Sequence, residues 1–157
     1  MAAMNSEAAL ITELGQALGI PGLVLDEDAQ CSLAFDSEFL ISLRVDDEGW
    51  VFAGFLDEWE PNENVDIALA ETVSLLSINL QLGASGRGTI GLDTDSDSLV
   101  LIKPILPPPK TATDLIESLE IVMDSMEWIR KRRDQSIVES GASSETLSIP
   151  ASNDIIP

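Results

Sequence analysis

Two stretches place chemistry-bearing residues at spacings that known sites use. Gly86-Arg87-Gly88-Thr89-Ile90-Gly91 carries the letters GxGxxG, the glycine spacing of a loop whose backbone comes close to a pyrophosphate. Asp93, Asp95 and Asp97 follow at alternate positions, the way a calcium loop begins. Both patterns fail on their surroundings. A dinucleotide loop follows a strand and opens a helix whose N-terminus holds the phosphate. Here a helical pattern precedes the glycines and a strand-like one follows, and no lysine stands after the last glycine as a phosphate loop requires. In the acidic run, Ser98 occupies the position of the sharp-turn glycine and Pro104 that of the closing glutamate, so a solvated hairpin turn is the expectation. The chain has no histidine, no tyrosine and one cysteine, Cys31, which removes the usual general bases and nucleophile partners. With 28 acidic residues, paired carboxylates arise by chance. The expectation is a protein that is no enzyme, with no catalytic residue, no metal ligand set and no cofactor.

Those 28 acidic residues face 8 basic ones, a formal net charge of -20. Phosphate backbones and anionic membrane surfaces repel such a chain, so neither a nucleic acid nor a membrane is an expected partner. Four of the eight cations are consecutive, Arg130 to Arg133, and are read as closing the last turn of a helix, where cations complement the macrodipole. No apolar run is read as approaching the roughly 18 residues of a membrane span, and the N-terminus lacks a signal-peptide pattern. A single cysteine forms no disulfide within one chain and fits a reducing cytoplasm. A length of 157 residues fits one domain.

The chain is organised around Cys31 to Trp59. Cys31, Leu33 and Phe35 alternate with polar neighbours, as do Phe39, Ile41, Leu43 and Val45, then Trp50, Phe52 and Leu56; this is the period of two of a strand with one buried side. The short polar links at 36–38 and 46–49 join antiparallel neighbours. The second face is unusual: Ala34, Leu40, Val51, Ala53 and Phe55 stand where a solvated sheet carries charge, so either a helix of the same domain or a partner must cover them.

Before this meander, Asn5 or Ser6 is read as capping a helix with Leu10, Ile11, Leu14, Ala17 and Leu18 on one side, stopped by Gly19 and Pro21. A brief extended piece at 23–25 follows. After the meander, residues 65–82 form a second helix with two apolar stripes: Leu69, Val73, Leu76 and Leu80 on one side, Ile67, Leu75, Ile78 and Leu82 on the other. A helix apolar on two sides must be buried on two sides, which predicts a homodimer through one stripe without saying which. Thr89–Leu92 and Leu99–Ile102 are read as a hairpin, with Pro104 and Pro107–Pro109 ending its ladder. Thr111 or Thr113 opens a third helix with a seam of Leu115, Leu119, Val122, Met126 and Ile129, and Trp128 off it as a partial surface contact. The domain is 1–133, and the serine-rich stretch 134–157 is read as a flexible tail. The fold class is α+β: a twisted antiparallel sheet with three helices in the order α-β-β-β-α-β-β-α, homodimeric.

That order in a small acidic chain resembles the class I chaperones of bacterial type III secretion, the Tir chaperone (CesT-like) family. LGIPGLVLDEDAQCSLAFDSEFLISL is similar to the end of the family's first helix and its first strands. Asn79-Leu80, the glycine-rich turn, Ile90-Gly91-Leu92-Asp93 and Leu99-Val100-Leu101 resemble its later portion. The resemblance covers 6–133, departs from the family at Pro107–Pro109, and leaves the tail outside. It implies a non-enzymatic homodimer of the bacterial cytoplasm that holds the N-terminal segment of a secreted effector extended and presents it to the secretion apparatus, with the secretion-system ATPase as a further partner. Candidate effector contacts are Leu10, Leu14, Leu23, Leu25, Ala34, Leu40, Val51 and Phe55; the candidate dimer stripe is Ile67, Leu75, Ile78 and Leu82, or its opposite. Two other readings stand beside it: a dimeric adaptor or regulator that binds a folded partner, and a metal-dependent enzyme built on the acidic loops.

Overall fold

A computed structural model describes residues 2–143, with side chains from 6 to 136. The elements are α1 (Ala2–Ala17), β1 (Gln30–Phe35), β2 (Phe39–Asp46), β3 (Gly49–Glu58), α2 (Val65–Ala84), β4 (Thr89–Asp93), β5 (Ser98–Ile105) and α3 (Ala112–Ser143). The five strands form one antiparallel sheet in the order β1-β2-β3-β5-β4. The meander closes through tight links: Asp36 and Ser37 both take positive φ (50° and 59°), the mirror-image turn whose twist matches a hairpin, and Asp46 accepts from the N–H groups of Glu48 and Gly49. The hairpin of β4 and β5 then lays β5 against β3.

One face of this sheet is the core. Cys31, Leu33, Phe39, Ile41, Leu43, Val45, Trp50, Phe52, Leu99, Leu101 and Ile105 are buried there, with Leu115, Leu119, Val122, Met126 and Ile129 from the seam of α3. α3 packs on β3 and β5, α1 packs on α3, and α2 bridges α3 and β4. The close approach of α3 requires Gly54: a Cβ there would lie 2.5 Å from the Met126 sulfur.

The helix ends follow from local chemistry. α1 stops where Gly19 turns left-handed (φ 71°), its N–H bonding the Gln16 carbonyl while Ile20 bonds that of Gly15, a terminus that glycine adopts without strain. Asn64 caps α2 by accepting from Asp66 and Ile67 N–H. α3 begins with a reciprocal cap: Thr111 Oγ1 accepts from Asp114 N–H, and Asp114 Oδ2 accepts from the N–H of Lys110 and Thr111. Those backbone donors, Lys110 first, hold the Asp114 carboxyl below its usual range. Their support is therefore present above the ordinary carboxylate pKa and fades as pH falls through the lowered value.

Asn79 of α2 fixes the position of β4. Its Oδ1 accepts from Ile90 N–H at 2.8 Å and its Nδ2 donates to the Ile90 carbonyl at 3.3 Å, so a side chain stands in for the missing neighbour strand. Asn79→Ala strips both partners from a half-buried backbone unit and is expected to cost about 1–3 kcal/mol, read as a lower midpoint in urea with an unchanged slope.

Three expectations need correction. α1 begins at Ala2, ahead of Asn5 and Ser6, so neither caps it. β5 runs through Pro104, which pairs with Val51; β4 ends at the Thr89–Ile102 pair, so β5 is an edge strand there and a proline removes no ladder bond. Finally, α3 continues ten residues past Arg133. The basic run is thus mid-helix and closes no last turn, and the expected tail is helical to Ser143; residues 144–157 lie outside the described residues.

Candidate binding surfaces

Among the described residues, no helix covers the second sheet face. Along β1 and β2, Ala34 and Leu40 are exposed; along β3 and β5, Val51, Ala53, Phe55, Val100 and Ile102 are half-buried. The register sets them side by side: Ala34 stands opposite Leu40, Ala53 opposite Ile102, and Phe55 opposite Val100, with Ser42 and Arg44 of β2 on the same face opposite Ala53 and Val51. Leu40 is 51% exposed, a large apolar side chain near the start of β2 with half of its surface open.

The sheet has two edges, and they differ. β4 is held at Ile90 by Asn79. On β1, the outward N–H of Gln30 donates to Asp26 Oδ1 at 3.1 Å, and its carbonyl accepts from Asp26 N–H at 2.8 Å. By the period of two, the next outward groups belong to Ser32 and Ala34, beside the uncovered face. A strand laid along β1 finds them free of the Asp26 turn.

Two of the eight candidate contact residues are misplaced by the sequence reading. Leu14 is 0% exposed and Leu23 9%; both belong to the core between α1 and the loop after it, because α1 turns its apolar stripe inward against α3. Leu10 and Leu25 are half-buried at that margin. Val100 and Ile102 share the face and were not among the candidates; the hairpin's alternation signals them, once β5 is known to lie beside β3.

α2 presents the second apolar surface. Ile78 (4%) and Leu82 (0%) are buried, Leu75 is half-buried, and Ile67 is exposed at the helix start. The opposite stripe is bare: Leu69, Val73, Leu76 (63%) and Leu80 (75%) all face outward. Of the two stripes left open for a dimer, that of Ile67, Leu75, Ile78 and Leu82 has Ile78 and Leu82 spent on the fold's own core, which leaves Leu69, Val73, Leu76 and Leu80 as the candidate. α2 also has the length and mean hydropathy, 1.4, of a membrane-crossing helix. A count of uninterrupted apolar residues overlooked this because Asp66, Glu71 and several hydroxyl residues interrupt the run.

The stretches that suggested chemistry are engaged otherwise. Gly86–Gly91 links α2 to β4, helix before strand. Asp93 accepts from Asp95 N–H and from the Ser96 hydroxyl; the hydroxyl bond foremost holds its carboxyl below the usual range. Burial, with the Asp26 charge adding, pushes the Cys31 thiol up, away from the thiolate form a nucleophile needs. Among the described residues no three His, Cys, Asp or Glu side chains gather around a metal position.

The same architecture occurs in solved chains. A chain in the structure of the HopA1-SchA chaperone-effector complex superposes with a TM-score of 0.64 at 20% identity, over 85% of this chain and 98% of its own. One in the crystal structure of the ExsC-ExsE complex gives 0.64 at 21%, over 79% and 90%. The model of the Tir chaperone protein (CesT) family matches residues 9–130, from the apolar stripe of α1 to the end of the buried seam of α3. The chain belongs to the Tir chaperone (CesT) family.

Proposed function

We propose that this protein is a type III secretion chaperone that works as a homodimer in the bacterial cytoplasm, without catalysis, holding the N-terminal segment of a secreted effector extended on its sheet. One observation carries the reading: a largely apolar sheet face, Leu40 to Ile102, lies beside outward backbone groups on β1, and among the described residues no helix covers it. An extended segment supplies both complements. Its backbone continues the ladder at Ser32 and Ala34, and its alternate side chains meet Ala34, Leu40, Val51 and Phe55, with Leu10 and Leu25 at the margin. The net charge of -20 keeps such a surface from self-association while it waits. Membership of the family and the chaperone-effector complexes of similar fold support the same reading; by the family's role, the secretion-system ATPase is the receiving partner.

The bare stripe of α2 supports the dimer. Four large apolar residues on one helical face form a patch that monomers seldom show to water. A second copy covers it by two-fold symmetry, stripe on stripe. A bilayer does not fit, because Ile78 and Leu82 hold the other side of α2 in the core.

The test is expression together with effectors of the same bacterium, then isolation of the chaperone with what accompanies it and limited proteolysis of the complex. A protected N-terminal effector segment that is open to protease when alone is the expected result. A partner bound through a folded domain, with no protected segment, would instead make the protein an adaptor.

A further inference from the structure

The basic run that the chaperone function leaves unused points to a separate surface. Four successive residues of a helix point about 100° apart, and here each takes different company. Arg130 lies 5.1 Å over the Phe39 ring and donates to the Glu38 carbonyl at 2.8 Å. Lys131 pairs with Glu127 at 3.6 Å, and Arg133 with Asp57 at 3.2 Å. Arg132 instead lies 5.0 Å from the centre of the Trp128 ring, and Arg87, from the turn between α2 and β4, lies 5.9 Å from the same ring.

Neither Arg87 nor Arg132 forms an ion pair among the described residues, in a chain with 28 carboxylates. Two like charges gathered on one indole repel each other, and the ring offsets only part of that. A guanidinium held near a ring by the ring's quadrupole spends none of the N–H donors of its fork on a hydrogen-bond acceptor, and no hydrogen bond from either guanidinium to a described residue competes for them. Both arginines are exposed and Trp128 is half-buried. Tryptophan flanked by arginine is the composition of binding hot spots, and carboxylates are what the two forks fit in pairs of hydrogen bonds. Elsewhere the acidic surface repels a negative partner; five of the eight cations are Arg87 and Arg130 to Arg133.

We propose that Arg87, Trp128 and Arg132 form a docking site for an acidic segment of a protein partner, two of its carboxylates on the two guanidinium groups and an adjoining side chain against the indole. The site lies on α3 and the α2–β4 turn, away from the uncovered sheet face, and stands whether or not that face holds an effector.

The experiment titrates fluorescein-labelled octaglutamate with the full-length protein at low ionic strength and follows anisotropy. Saturable binding that weakens steeply with added salt is expected, with a loss of about tenfold in each of Arg87→Gln and Arg132→Gln and no measurable binding in the double variant, whose circular dichroism and thermal midpoint stay at the parental values. Trp128→Phe, which keeps a ring, is expected to bind better than Trp128→Ala. No saturable binding to the parent protein, or equal binding by the double variant, overturns the proposal. A single-stranded RNA of equal charge that binds as tightly and is lost in the same variants also overturns it, by making the site a general polyanion site.

Discussion

Leu76→Asp is expected to leave the protein monomeric. Leu76 stands in the middle of the bare stripe of α2, between Val73 and Leu80, and is 63% exposed in a single copy. Covering a leucine contributes about 1.5–3 kcal/mol, and a two-fold interface counts each residue twice. Losing it in both copies therefore costs about 3–6 kcal/mol, a rise of roughly 10²–10⁴ in the dimer dissociation constant, before the cost of two carboxylates brought face to face. Light scattering at micromolar concentration reads the mass directly. The parent is expected at twice the chain mass and the variant at once, with the helical signal unchanged because no buried contact of the monomer is lost. Ile78→Asp, two residues along and 4% exposed, is the control. It puts a charge into the core between α2 and the rest of the fold, so it is expected to unfold the protein instead of dividing it. A parent of single mass, or a Leu76→Asp variant that stays paired, removes the dimer from the proposal.

Phe55→Asp is expected to abolish effector binding while sparing the fold. The ring sits on the uncovered face, opposite Val100 across the β3–β5 ladder. Truncating an aromatic anchor in an interface costs about 2–4 kcal/mol, and a carboxylate in its place adds the cost of burying a charge under the bound segment. The affinity for the co-purifying effector's N-terminal segment is expected to fall by at least about 30-fold, measured by calorimetry. The half-buried site limits the loss of folding stability to about 1 kcal/mol, the span of strand preference. Equal affinity in parent and variant would place the bound segment somewhere other than the sheet.

How far the chain could be read without coordinates depended on whether a pattern had one physical cause or two. The alternation of Phe39, Ile41, Leu43 and Val45 has one cause, a strand with one dry side, and all four are buried. The four-three spacing of the α3 seam likewise buries every residue from Leu115 to Ile129 that was assigned to it. The two stripes of α2 have two causes, packing and association, and periodicity is blind to the difference; only the placement of α3 shows that Ile78 and Leu82 are taken. Leu14 and Leu23 went astray for the same reason, because an apolar side chain looks the same whether it faces its own core or a guest. The course of β5 through Pro104 and of α3 past Arg133 depends on what lies alongside: the absence of β4 at one, and Asp57, Phe39 and the Glu38 carbonyl drawing the arginines inward at the other.

Asn79 has a consequence beyond holding β4. An open sheet is a link with two hooks, and copies hooked end to end grow into a ribbon without limit. Here α2 blocks one hook with a single amide, and the Asp26 turn shortens the other, so that one guest strand can be taken up and no second molecule can follow. Taking that amide away frees the blocked end, and slow fibrous assembly over days, beyond the loss of stability already described, is the outcome that follows.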